Sequence, residues 1–148
     1  MINFEDRSRE KAYSNLRKVM KHWGFGEASS SIYALLSVSD RPLTAREIAE
    51  HVGYAYSSVV NELNRLLREG FLERWREGRR YVYSAETDFL KIIKNERNRL
   101  IGMLEEAKSY LQEVKTREMH ELVENIEIAL RYLREVNRRF EDGREAIQ

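Results

Sequence analysis

Five residues within one nine-residue stretch have the chemistry to read a nucleic acid: Ser57, Ser58, Asn61, Glu62 and Arg65. An asparagine amide matches the paired donor and acceptor on adenine, and a guanidinium matches guanine. A carboxylate such as Glu62 accepts from cytosine, although it could equally pair with Arg65. Two serines at the start of a helix sit beside free backbone N–H groups, which favour phosphate. Tyr56, just before them, has an aromatic face to lay along a sugar-phosphate backbone or base step. Further along, Arg79 and Arg80 follow Gly78. Two adjacent guanidinium groups at a chain reversal suit phosphate or a narrow minor groove. Thr44 and Arg46 could add backbone contacts from an earlier helix. The chemistry implied is non-covalent recognition of double-stranded DNA.

Bond-making chemistry finds little support. The chain has no cysteine, which removes thiol nucleophiles, disulfides and thiolate metal sites together. His22, His51 and His120 are far apart and lack ligand spacing. Ser29, Ser30 and Ser31 read as the start of a helix, not as a nucleophile cluster. There is no glycine-rich phosphate loop. No catalytic residue, metal or cofactor is expected, and the chain does not read as an enzyme.

These residues need elements to hold them. Ala12, Tyr13, Leu16, Val19, Met20 and Trp23 recur at three- and four-residue steps, so a helix is expected near 5–23, stopped by Gly24 and Gly26. A second helix is expected over Glu27–Ser37. Asp40-Arg41-Pro42 is turn chemistry. Thr44-Ala45-Arg46-Glu47 has the capping-box pattern and opens a short helix that Gly53 closes. Tyr56–Glu69 is expected to be the helix that carries the base-reading residues. Val59, Val60, Leu63, Leu66 and Leu67 form its apolar side, and Gly70 ends it. Phe71–Arg76 and Arg80–Ser84 read as a hairpin around Glu77-Gly78-Arg79. Arg68, Arg74 and Arg76 are expected to be solvated or paired with Glu69, Glu73 and Glu77. Trp23, Tyr33 and Trp75 are expected in the core.

Leu43–Gly53 resembles the first half of a helix-turn-helix. Ser57–Arg74 resembles a recognition helix and its exit, and Glu77–Tyr83 resembles a wing. Together they resemble the winged helix-turn-helix of the MarR-like regulators, most closely the archaeal GbsR-type branch. One departure is Ala55, where such motifs place a serine or threonine cap. The resemblance implies a mainly helical protein: a three-helix core with a β-hairpin wing, a flanking N-terminal helix and a C-terminal helical dimerisation region. It also implies a transcriptional regulator controlled by a small-molecule effector, whose binding changes the spacing of two recognition helices.

Beyond Thr87, a plausible N-cap for the next helix, the pattern is helical throughout. Ile93, Arg97, Leu100, Leu104, Ala107, Leu111 and Val114 keep heptad spacing, as do Met119, Leu122, Ile126, Ala129, Leu133, Val136 and Phe140. The two seams are out of phase. A break near Lys115-Thr116, with Thr116 as N-cap, is one solution, and a single long helix is another. Leu100, Leu104, Leu111, Met119, Leu122, Ile126, Leu133, Val136 and Phe140 are the expected homodimer contacts. Two domains are expected, at 1–86 and 87–148.

Charge agrees with this division. Residues 1–85 hold 14 lysines and arginines against 11 acidic residues, and residues 86–148 hold 12 against 14. No apolar run is long enough for a membrane helix and no signal core opens the chain, so a cytoplasmic location is expected. The single proline, the missing cysteine and the many Arg–Glu pairs suit a thermophilic source. Two competing readings are a winged-helix scaffold for protein contacts and a low-specificity architectural DNA binder.

Overall fold

The computed structural model describes residues 4–142, with side chains for 5–139. It is mainly helical, with six helices and a small antiparallel sheet among the described residues. The chain divides into two compact units between Phe89 and Leu90.

In the first unit, α1 (Phe4–His22) and α2 (Glu27–Val38) are joined by a tight reversal. Gly24 has φ 90°, the left-handed conformation that glycine adopts without a Cβ penalty. The N–H groups of Gly24 and Phe25 donate to the carbonyls of Lys21 and Met20, the double closure of a Schellman motif. The exit of α4 (Tyr56–Arg68) repeats it: Gly70 has φ 86°, and Gly70 and Phe71 donate to Leu67 and Leu66. Both closures are followed by a phenylalanine. The rings of Phe25, Trp23 and Tyr33 all pack on Phe71. Around them lie Met20, Ile32, Ile48, Val59, Leu63 and Leu66, all fully buried.

The sheet has the order β1-β3-β2. β2 (Leu72–Glu77) and β3 (Arg80–Ala85) form the hairpin, with Glu77 opposite Arg80. Its turn is therefore Gly78-Arg79, and only Gly78 takes positive φ, at 65°. β1 (Leu43–Thr44) lies on the other side of β3, with Thr44 opposite Val82. Thr44 then caps α3 (Ala45–Val52). Its hydroxyl accepts from the Glu47 N–H, and the Glu47 carboxylate accepts from the Thr44 N–H. Gly53 closes α3 at φ 78°. The Tyr33 hydroxyl donates to the Glu86 carbonyl, tying α2 to the end of the hairpin.

One detail differs from the sequence expectation. Trp75 is exposed on β2, because β2 buries only Leu72 and turns its remaining residues to solvent. Arg74 and Arg76, expected to be solvated or paired with Glu73 and Glu77, are exposed and lie over the Tyr81 ring across the hairpin. Cross-strand neighbours are closer than residues adjacent along one strand, which point to opposite faces.

The second unit is a helical hairpin. α5 (Phe89–Leu111) begins after Asp88, one residue later than a Thr87 cap would place it. The Glu86 carboxylate accepts from the Asp88 N–H before the first turn. α6 (Arg117–Asp142) opens with the Thr116 hydroxyl accepting from the Met119 N–H. The break near Thr116 therefore exists, and one continuous helix does not. The two helices run antiparallel. Arg97 and Asn98 bond to Asn137, Glu105 pairs with Arg134, and Lys108 lies 3.4 Å from Glu127. Val123, Ile126 and Leu130 are the buried side of α6.

Candidate nucleic-acid interface

α4 buries Val59, Leu63 and Leu66, which fixes what its other faces present. At 3.6 residues per turn, the side opposite this core carries Ser57, Asn61, Asn64 and Arg68. All four are exposed. Tyr56 and Val60 lie on the side facing the hairpin and help to line a groove of about 750 Å³. Its other walls are Thr44 and Arg46 from the β1–α3 corner, and Arg74, Arg79, Arg80 and Tyr81 from the wing. Thr44, Arg46, Tyr56, Arg79 and Arg80, all singled out from sequence, meet in this one groove.

Its electrostatics are one-sided. Among the described residues, no ion pair engages Arg46, Arg79 or Arg80. Cations left without carboxylate partners around an open groove favour an anionic ligand. The Tyr81 hydroxyl is pushed below its ordinary acidity range by a hydrogen bond from Arg76, with the charge of Arg74 adding to it. Tyr54 and Tyr56 border a second hollow beside Arg46, of about 410 Å³. No side chain caps α4: Ala55 sits at its N-cap position without a side-chain hydrogen bond. The exposed Ser57 and Ser58 therefore stand at a helix end with unfilled backbone donors.

Glu62 and Arg65 stand apart from this groove. Glu62 accepts a hydrogen bond from the Ser29 hydroxyl on α2, and Ser29 is buried. The Arg65 guanidinium lies over the Phe25 ring, 4.8 Å from its centroid. It also reaches Glu62 at 3.9 Å and Glu69 at 3.8 Å. Glu62 ties α4 to α2, and Arg65 ties it to the reversal between α1 and α2. Asn64 was not singled out in the sequence reading, yet it lines the groove. Its spacing carried the signal: it falls three residues after Asn61 and seven after Ser57, on the same helical face.

The corner that carries Arg46 is stiff. Arg41 donates to Glu47 at 2.5 Å, and Thr44 contributes its backbone N–H. These bonds, Arg41 first, lower the Glu47 carboxyl to about 2.

Of the residues expected at a dimer contact, Ile126 is buried within its own chain. Leu104, Leu111, Met119, Leu133 and Val136 are half-buried, while Leu100 and Leu122 are exposed. The Phe140 side chain lies outside the described residues. No helix among the described residues is long and apolar enough to cross a membrane.

Residues 20–87 match the family model described as the sugar-specific transcriptional regulator TrmB. No curated protein matches the chain. A crystal structure described as a transcriptional regulator is similar over 91% of this chain and 99% of its own, at 12% identity and a TM-score of 0.65. The transcriptional regulator Tm0710 from Thermotoga maritima is 23% identical over 96% of each chain, with a TM-score of 0.45. The Staphylococcus aureus MepR–DNA complex is 20% identical over 74% of this chain and 93% of its own, with a TM-score of 0.44. Residues 20–87 are thus similar to the TrmB regulator model, and they lie on a winged-helix fold.

Proposed function

We propose that the chain is a sequence-specific, double-stranded DNA-binding regulator that acts as a homodimer in the cytoplasm. The observation that supports this best is the groove between α4 and the wing, where Arg46, Arg79 and Arg80 stand without acidic partners. In this reading the exposed face of α4 enters the major groove. Asn61 and Asn64 read base edges, and Ser57 and Ser58 seat a phosphate at the uncapped helix end. Arg79 and Arg80 follow the adjacent backbone or minor groove. Arg46 and Thr44 hold phosphate from the other side, and Tyr56 packs along the sugar-phosphate chain. Glu62 and Arg65 keep the helix at its angle. A two-fold dimer then selects a pseudo-palindromic site with half-sites roughly 10 bp apart or a multiple of that.

Within the MarR-like regulators we place the chain nearest the GbsR-type branch, on the resemblance over Leu43–Tyr83 and the helices around it. A small-molecule effector that alters the separation of the two recognition helices belongs to the same reading. The test is an anisotropy titration against random duplexes at two salt concentrations, followed by selection and sequencing of the bound pool. A specific regulator loses affinity with salt at about −0.9 log units per neutralised phosphate and enriches a palindrome. Binding without enrichment favours an architectural role, and no binding at low salt removes DNA from the proposal.

A further inference from the structure

β2 sorts its charges by side. Along Glu73-Arg74-Trp75-Arg76-Glu77 successive side chains point to opposite faces, so both acids share one face with Trp75 and both arginines share the other. The arginine face is the one that packs on the core. Leu72, Tyr83 and Ala85 are buried on it, with Arg74 opposite Tyr83 and Arg76 opposite Tyr81. Beyond the core this face runs out along the wing, where Arg74 and Tyr81 line the groove beside α4. The Arg74 guanidinium lies 4.3 Å from the centre of the Tyr81 ring, and that of Arg76 lies 5.0 Å from it. Arg76 also donates to the Tyr81 hydroxyl. One exposed ring thus gathers two like charges, and among the described residues no carboxylate pairs with either. Two guanidinium groups held at one ring repel each other, and an anion set against both relieves that repulsion. A guanidinium lying over a ring spends its flat face there and keeps its in-plane N–H groups for a phosphate. The ring also restricts two long side chains before anything binds, which lowers the ordering cost of binding.

We propose that Tyr81 is a positioning residue that holds Arg74 and Arg76 together as a seat for one DNA backbone phosphate, on the inner face of the wing and apart from Arg79 and Arg80 at its tip. The proposal rests on the DNA-binding reading above and adds to it two cations and the ring that sets them. Because Tyr81 acts through the arginines, its contribution to affinity exists only while they are present.

The test is a double-mutant cycle on the full-length chain, read by fluorescence anisotropy with one duplex of mixed sequence across a salt series. Arg74→Ala with Arg76→Ala is expected to weaken binding and to flatten the salt slope by about one unit, the value of one neutralised phosphate. Tyr81→Leu is expected to weaken binding about three- to tenfold. The triple variant should bind no more weakly than the arginine pair variant, which is the signature of a residue acting through its neighbours. Tyr81→Phe keeps the ring and should retain most of the affinity. Unfolding midpoints are measured for every variant. Coupling in the midpoints with none in affinity would make the stack a brace of the hairpin and overturn the proposal. Losses that multiply in the triple variant overturn it as well. So does a Tyr81→Phe loss as large as that of Tyr81→Leu, which would make the hydroxyl itself the contact. If the arginine pair variant keeps its slope while Arg79→Ala with Arg80→Ala loses affinity, the seat is absent and the DNA-binding reading stands. A wild-type chain that binds no duplex at low salt overturns both.

Discussion

The rings of Phe25 and Phe71 meet edge to face, with centroids 4.9 Å apart. Each is the first residue after a glycine-closed helix end, one leaving α1 and the other leaving α4. Two local chain reversals thus deliver two aromatic rings to one point in the core. The ring of Phe25 also supports the Arg65 guanidinium, so the contact that closes the core also steadies the helix over the groove.

Phe71→Ala should be among the most damaging core changes. The residue is fully buried and touches three other rings. The expected loss is about 3–5 kcal/mol, read from denaturant unfolding. A loss within the range of a surface substitution would show that the aromatic cluster is not a core element.

Removing the wing cations should act on all DNA alike. Arg79→Ala with Arg80→Ala is expected to weaken binding regardless of sequence and to flatten the salt slope by about two units. Measuring affinity across a salt series on one operator and one unrelated duplex checks this. An unchanged slope would take the wing out of the interface.

Base preference should follow the exposed face of α4. Asn61→Ala and Asn64→Ala are each expected to relax selection at one base pair per half-site, at about 1–3 kcal/mol. Arg65→Ala should lower stability and leave the selected motif unchanged, because the guanidinium is engaged by Phe25, Glu62 and Glu69. A motif that changes with Arg65→Ala and not with the asparagine variants would reverse these roles.

Acid should loosen the α3 corner. The Glu47 carboxyl sits at about 2 in the folded chain against 4.5 in the unfolded one. A carboxyl lowered on folding stabilises the fold above its unfolded value, and that stability fades as pH falls from about 4.5 toward 2. Denaturant midpoints measured through this window should decline in wild type and decline less in Glu47→Gln. Equal slopes would mean that the Arg41 and Thr44 bonds do not persist in solution.

Gly102 offers a change in the opposite direction. It lies inside α5, its φ is not positive, and nothing lies within 4 Å of an added Cβ. Gly102→Ala should stabilise the chain by about 0.5–1 kcal/mol, measured by thermal or denaturant unfolding. Destabilisation would show that this position is covered in the assembled protein.

Where a feature depended on neighbours in the chain, the sequence was sufficient. Thr44 with Glu47, Gly53, and Thr116 with Met119 are local hydrogen-bonding devices, and each stands where its residues promised. The helix-turn-helix and hairpin were legible for the same reason. What the sequence could not show is which polar side chains the tertiary fold would claim. Glu62 read as a cytosine acceptor or a partner of Arg65, and nothing local pointed to Ser29, thirty-three residues earlier, which the fold sets against it. The contact of Arg65 with Phe25, forty residues earlier, was equally beyond local spacing. The C-terminal seams were likewise readable as stripes, but spacing alone does not say whether a stripe meets its own hairpin or another molecule. Ile126 is buried within its own chain. Trp75 was misplaced because an aromatic on an edge hairpin has no periodic signal to give its side.

Thr44 ends β1 and caps α3, so no loop separates strand from helix. Its backbone belongs to the sheet and its hydroxyl to the helix, while Arg46 follows two residues later. That wall of the groove is therefore preorganised: Arg46 has only its own rotamers to lose when an anion arrives, and the backbone beneath it contributes almost no ordering entropy to the association.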